Sequence, residues 1–155
     1  MNTNFIFALL VGMIVPLQAP LNAYVARSLG SPLWATLVSL SVSVIATVPL
    51  LMLFKVSAPQ FGNLGQVPWY GWLGGLCGVV FVASSVILAP KIGIANFAVL
   101  AIAGQIIGAL VLDHFGLFGL AVKPINWFKI AGVAVMVGGI LLVQYGNKVP
   151  AGVSS

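Results

Sequence analysis

The sequence holds a single acidic side chain, Asp113, and a single histidine, His114. Chemistry that needs two carboxylates, or a carboxylate gathered with a histidine and a nucleophile, has almost nothing to draw on, so most hydrolytic sites are excluded. The lone cysteine, Cys77, lies in an apolar segment, where a small packing residue is the default, and it excludes an intrachain disulfide. No His, Cys, Asp or Glu cluster has metal-ligand spacing, and there is no nucleophile elbow, phosphate loop or zincin helix. We therefore expect no enzyme, no metal and no cofactor. Charge of either sign is scarce: 5% of the residues are charged, against about a quarter in soluble domains, which excludes a soluble globular protein. The first residues, Met-Asn-Thr-Asn, lack the basic n-region of a signal peptide, so the first apolar segment is expected to be retained.

What is present is apolar: 61% of the 155 residues are hydrophobic. Five runs are long enough to cross a bilayer, at about residues 4–29, 33–54, 68–89, 93–115 and 125–145. The pattern predicts one all-α membrane domain of five transmembrane helices, with residues 146–155 as a short tail. Ser31 is placed to cap the second helix and Pro32 to open it. Residues 56–67, with Pro59, Gly62, Asn63 and Gly65, form the longest polar connection and are expected to be a loop. Trp69, Tyr70 and Trp72, and later Trp127 and Phe128, are the aromatic clusters expected at headgroup level. No internal repeat is evident.

Six scattered cations give the net charge of +5. They are interfacial anchors and not a nucleic-acid patch. Five spans put the termini on opposite sides. Lys55, Lys123 and Lys129 fall on the side of the N-terminus, and Arg27, Lys91 and Lys148 on the other. Orientation is normally set by an excess of Lys and Arg in cytoplasmic loops, and three against three is no excess. Either the span boundaries conceal a bias, or the chain inserts both ways and pairs with an inverted copy of itself. Inverted halves give a transporter two matching access states around a midplane site. We expect the second arrangement, an antiparallel dimer of ten helices.

The first span contains Pro16-Leu17-Gln18-Ala19-Pro20-Leu21-Asn22 near its middle. Proline has no N–H, so Pro16 and Pro20 leave the carbonyls of Gly12 and Pro16 without their helical donors. Gln18 and Asn22, four apart, share a helix face beside them. Such groups are tolerated at membrane depth where protein covers them or where they line a wet cavity. The structural alternative is an amide that merely hydrogen-bonds a neighbouring helix. Gln105, central in the fourth span, is expected to join this cavity. In the second span Thr36, Ser39, Ser43 and Thr47 share a face, either lining a pore or satisfying carbonyls of their own helix.

Gly71, Gly74, Gly75 and Gly78 in the third span and Gly104 and Gly108 in the fourth are expected as helix-packing seams, as are Gly132, Gly138 and Gly139 in the fifth. Asp113 and His114 close the fourth span, about 12 Å along the axis from Gln105 and so toward the interface. A carboxylate at a helix C-terminus meets the negative end of the dipole, so a cation is expected beside it: Lys123, Lys129 or His114. Asp113 is either an anchoring ion pair or a gating, titrating group.

Pro16-Leu-Gln-Ala-Pro-Leu-Asn-Ala23, Gly30-Ser-Pro-Leu-Trp-Ala35, Trp72-Leu-Gly-Gly75, Ala89-Pro90, Gly104-Gln105 and Asp113-His-Phe-Gly116 together resemble the YdcZ-like family of the drug/metabolite transporter superfamily. The resemblance implies a bacterial inner-membrane protein of five helices, in a family of single dual-orientation chains, oppositely oriented pairs and ten-helix fusions. It supplies no substrate. Small multidrug-resistance exporters, more distant relatives, use a glutamate in the first helix, where this chain has Gln18. With no acid at mid-membrane, proton-coupled multidrug export is a lesser alternative. The leading expectation is a transporter or facilitator of a neutral, zwitterionic or apolar small molecule, with Pro16, Gln18, Pro20, Asn22, Ser39, Ser43 and Gln105 around its cavity. Its partners would be the bilayer, an inverted copy or an oppositely oriented paralogue, and the substrate. The competing class is a non-transporting structural or assembly subunit.

Overall fold

The structure is a computed structural model that describes residues 3–147. Lys148 and the rest of the expected tail lie outside the described residues. The five apolar runs appear as five helices long and apolar enough to cross a membrane. They are α1 (Thr3–Leu29), α2 (Pro32–Leu53), α3 (Leu73–Ile92), α4 (Ile94–Phe115) and α5 (Trp127–Gly146).

The helix ends follow from local chemistry. Gly30 takes φ +75°, a conformation that costs glycine little, and turns the chain out of α1. Ser31 then caps α2: its hydroxyl accepts the N–H of Leu33 at 3.3 Å, and Pro32 follows at the first helical position. Asn126 caps α5 in the same way, accepting from the N–H of Lys129 at 3.0 Å. Two departures from the expected boundaries have clear causes. The loop expected over 56–67 contains a 3-10 segment, Phe61–Gln66, and a second one, Trp69–Trp72, leads into α3. The third helix also runs past Ala89 and through Pro90 to Ile92. Its stop is Gly93 at φ +90°, whose N–H returns to the carbonyl of Ala89 at 2.9 Å.

The chain divides into two compact units, one ending at Ile94 and one beginning at Ala95. In the first, each of α1, α2 and α3 packs on the other two. The residues that disappear from the surface are small: Ala19, Asn22 and Ala23 of α1, Ala35 and Thr36 of α2, and Val82, Ser85, Val86 and Ala89 of α3. Ala19 and Ala23, and Ser85 and Ala89, stand four apart, the spacing that lets helices approach closely in lipid. In the second unit α4 and α5 run antiparallel. The link is fastened at one end by the N–H of Lys123 on the carbonyl of Asp113 at 2.8 Å. At the other end the Asn147 amide donates to Oδ1 of Asn96 at 2.8 Å.

The glycines expected as packing seams do not pack within either unit. A Cβ added at Gly74, Gly75, Gly78, Gly104 or Gly108 would meet nothing within 4 Å; only one at Gly71 would, at 2.9 Å from Cγ1 of Val67. The contacts within the first unit are built on alanine, serine and valine instead, and the glycines of α3 take no part in them.

Candidate functional site

α1 is a single helix through both prolines. The expected interruption is therefore one of hydrogen bonding and does not end the helix: residues 16 and 20 have no N–H to give the carbonyls of Gly12 and Pro16. Twenty-seven residues make a helix of about 40 Å, and Gln18 lies about 3 Å from its middle. At that depth bulk water supplies no partner for a polar group.

The two amides of α1 have different surroundings. Asn22 is 8% exposed, and its amide donates to the hydroxyl of Ser39 on α2 at 3.2 Å. Ala19 and Ala23, one on each side, bring the backbones near enough for so short a side chain to reach across. Gln18, one turn earlier, is half-buried and forms no hydrogen bond with another described residue. A half-buried amide with both donor and acceptor unspent is a polar group that a guest molecule can use, whereas at 3.6 residues per turn the carbonyls freed at Gly12 and Pro16 lie on the other side of α1 from it.

The hydroxyl stripe of α2 is mostly spent on its own helix. Thr36 donates to the carbonyl of Pro32 at 3.0 Å, Ser43 to that of Ser39 at 3.0 Å, and Thr47 to that of Ser43 at 2.8 Å. Of the four, only Ser39 hydrogen-bonds to another helix. Ser43 is exposed, so the structure brings Asn22 and Ser39 together with Gln18 nearby and leaves Ser43 outside the group. Gln105 belongs to the other unit, where it is exposed midway along α4.

Asp113 and His114 have structural work. The Asp113 carbonyl receives the Lys123 N–H, and Nδ1 of His114 accepts the N–H of Ile125 at 3.1 Å. The Lys129 ammonium donates to the carbonyls of Lys123 and Pro124, each at 3.1 Å. Of the groups expected around the Asp113 carboxylate, Lys129 and His114 are thus engaged with main chain, and among the described residues Asp113 forms no ion pair. Main-chain carbonyls at the α4–α5 turn take up the Lys129 ammonium, a competition that spacing along the sequence does not reveal. Among the described residues no three His, Cys, Asp or Glu side chains come together.

Five apolar spans, packed through small side chains and carrying a few unspent amides, define a multi-pass helical membrane protein. Residues 3–142 match the family described as "Putative inner membrane exporter, YdcZ", and the chain belongs to that family. It is 30% identical over 140 residues to the inner membrane protein YdcZ of Escherichia coli (strain K12), covering 90% of this chain and 91% of the relative. No solved structure matches it. Family membership agrees with the resemblance carried by the proline, Gly-Gln and Asp-His motifs.

Proposed function

We propose that the protein is a small-molecule exporter of the bacterial inner membrane that works as an inverted dimer. Its polar centre is Gln18 with the Asn22–Ser39 pair, completed by an oppositely oriented copy. The observation that carries this reading is the unspent, half-buried Gln18 amide near the middle of α1. The outward direction is taken from the family's description. Balanced cations and open glycine faces support the second copy. With an amide centre and no charge at mid-membrane, the cargo is neutral, zwitterionic or largely apolar.

A second reading is favoured by a specific observation: Asn22, Thr36, Ser39, Ser43 and Thr47 all have partners inside the chain. A structural or assembly subunit would look like this. Flux through purified protein in liposomes separates the two. For a transporter, a broad panel of uncharged and zwitterionic metabolites contains at least one that moves, and Gln18→Ala cuts that flux about tenfold at equal protein content. If nothing in the panel moves and Gln18→Ala only lowers stability, the subunit reading stands. Reporters fused to the C-terminus should be active on both faces of the membrane; activity on one face alone overturns the homodimer.

A further inference from the structure

A groove of about 590 Å³ opens between the C-terminal ends of α1 and α3 and the start of α2. Arg27 and Lys91 both line it, with Ala23, Ala26, Pro32 and Val86 among the walls. We propose that this groove holds the phosphate-bearing head of an anionic phospholipid, clamped between the two cations.

Three features point to that ligand. The groove is lined by two cations and by no acidic side chain. Cations in the last turn of a helix complement its dipole, which accounts for Arg27 and Lys91 separately but not for their sharing one cavity. Arg27 is also partly pre-set: its Nε–H reaches the carbonyl of Ala23 at 3.4 Å, leaving the other guanidinium N–H groups for a further acceptor. Phosphate oxygens suit such a donor set.

The depth of the walls selects the source of the phosphate. Ala23 lies one helical turn, about 6 Å, below Arg27, and Val86 lies about 7.5 Å below Lys91. The groove therefore passes from cationic at headgroup level to apolar within the hydrocarbon, which is the profile of a lipid and not of a hydrated ion. Basic pockets between transmembrane helices hold anionic heads on this principle. The site is independent of what the protein transports.

The test uses the full-length chain in a neutral detergent, with lipid occupancy read by native mass spectrometry. Phosphatidylglycerol should bind at least tenfold more tightly than phosphatidylcholine. Arg27→Gln combined with Lys91→Gln should remove that preference, while Lys55→Gln combined with Lys123→Gln, cations outside the groove, should change it less than twofold. Equal binding of the two lipids, or equal loss in the two double variants, overturns the proposal. Displacement of phosphatidylglycerol by an equal concentration of inorganic phosphate would make this a free-anion site and overturn the lipid assignment. If the Arg27/Lys91 variant does not fold, lipid preference and phosphate competition on the natural chain decide alone.

Discussion

Asn22 has a fixed partner and Gln18 does not, although both are amides on one face of one helix. The difference comes from what lies opposite: Ser39 is within 3.2 Å of the first, and no described residue takes up the second. Hydrogen bonds between membrane helices contribute about 0.6 kcal/mol on average and rarely more than about 1.7, because the separated helices also find partners. A double-mutant cycle of Asn22→Ala and Ser39→Ala, followed by unfolding in mixed micelles, should give a coupling in that range. A coupling indistinguishable from zero would remove this bond from the account of α1–α2 packing. For Asp113→Asn the expectation is the reverse of a titrating site. The role the structure gives Asp113 is that of its main-chain carbonyl, which fastens the link to α5 and which the substitution leaves in place, so the pH profile of transport should stay unchanged. A displaced profile would restore the gating role. Sequence made Asn22 and Gln18 visible as candidates, because polar groups are rare in such a chain. It could not tell them apart, since the helix opposite each is set by packing.

At the scale of the helix, existence and most ends were legible because they depend on local chemistry, such as run length and the Ser31–Pro32 start; the ends of α3 were not, since Trp69–Trp72 form a 3-10 turn and the stop is Gly93 beyond Pro90. The packing faces were not. Around a soluble helix, apolar residues mark the buried side, but lipid tails are as apolar as leucine, so here that pattern carries no such information. Close approach was therefore expected at glycine, and the structure makes it at Ala19, Ala23, Ala35, Ser85 and Ala89. The two sets of positions should respond oppositely to enlargement. Ala35 has no exposed surface, so Ala35→Leu overpacks the three-helix unit and should cost about 1–3 kcal/mol, read as a lower unfolding midpoint. Gly74→Leu with Gly78→Leu adds side chains where nothing stands within 4 Å of the new Cβ, so helix content should be kept. What should fall is the dimer fraction, by cross-linking or sedimentation. A dimer indifferent to both changes would assign the glycine faces to lipid.

For the molecule as a whole, dual orientation is a claim about a small difference between two insertion energies, and it can be manipulated through the cations. On the topology expected from the five spans, three lysines and arginines on each side leave no bias. Asn63→Lys with Gln66→Lys, in the connection between α2 and α3, makes the count five to three, while Lys55→Gln with Lys123→Gln makes it one to three. Each variant should insert predominantly one way, in opposite senses, as read by reporters on the C-terminus. Expressed alone, each should lose most of the flux, because an inverted mate is scarce. Expressed together, the two should recover it, since one supplies the orientation the other lacks. This co-expression arm separates the dimer from a simple loss of folding, because a misfolded chain gains nothing from a correctly folded partner. Full activity of either variant alone would show that one orientation suffices and that the open glycine faces meet lipid or a parallel copy.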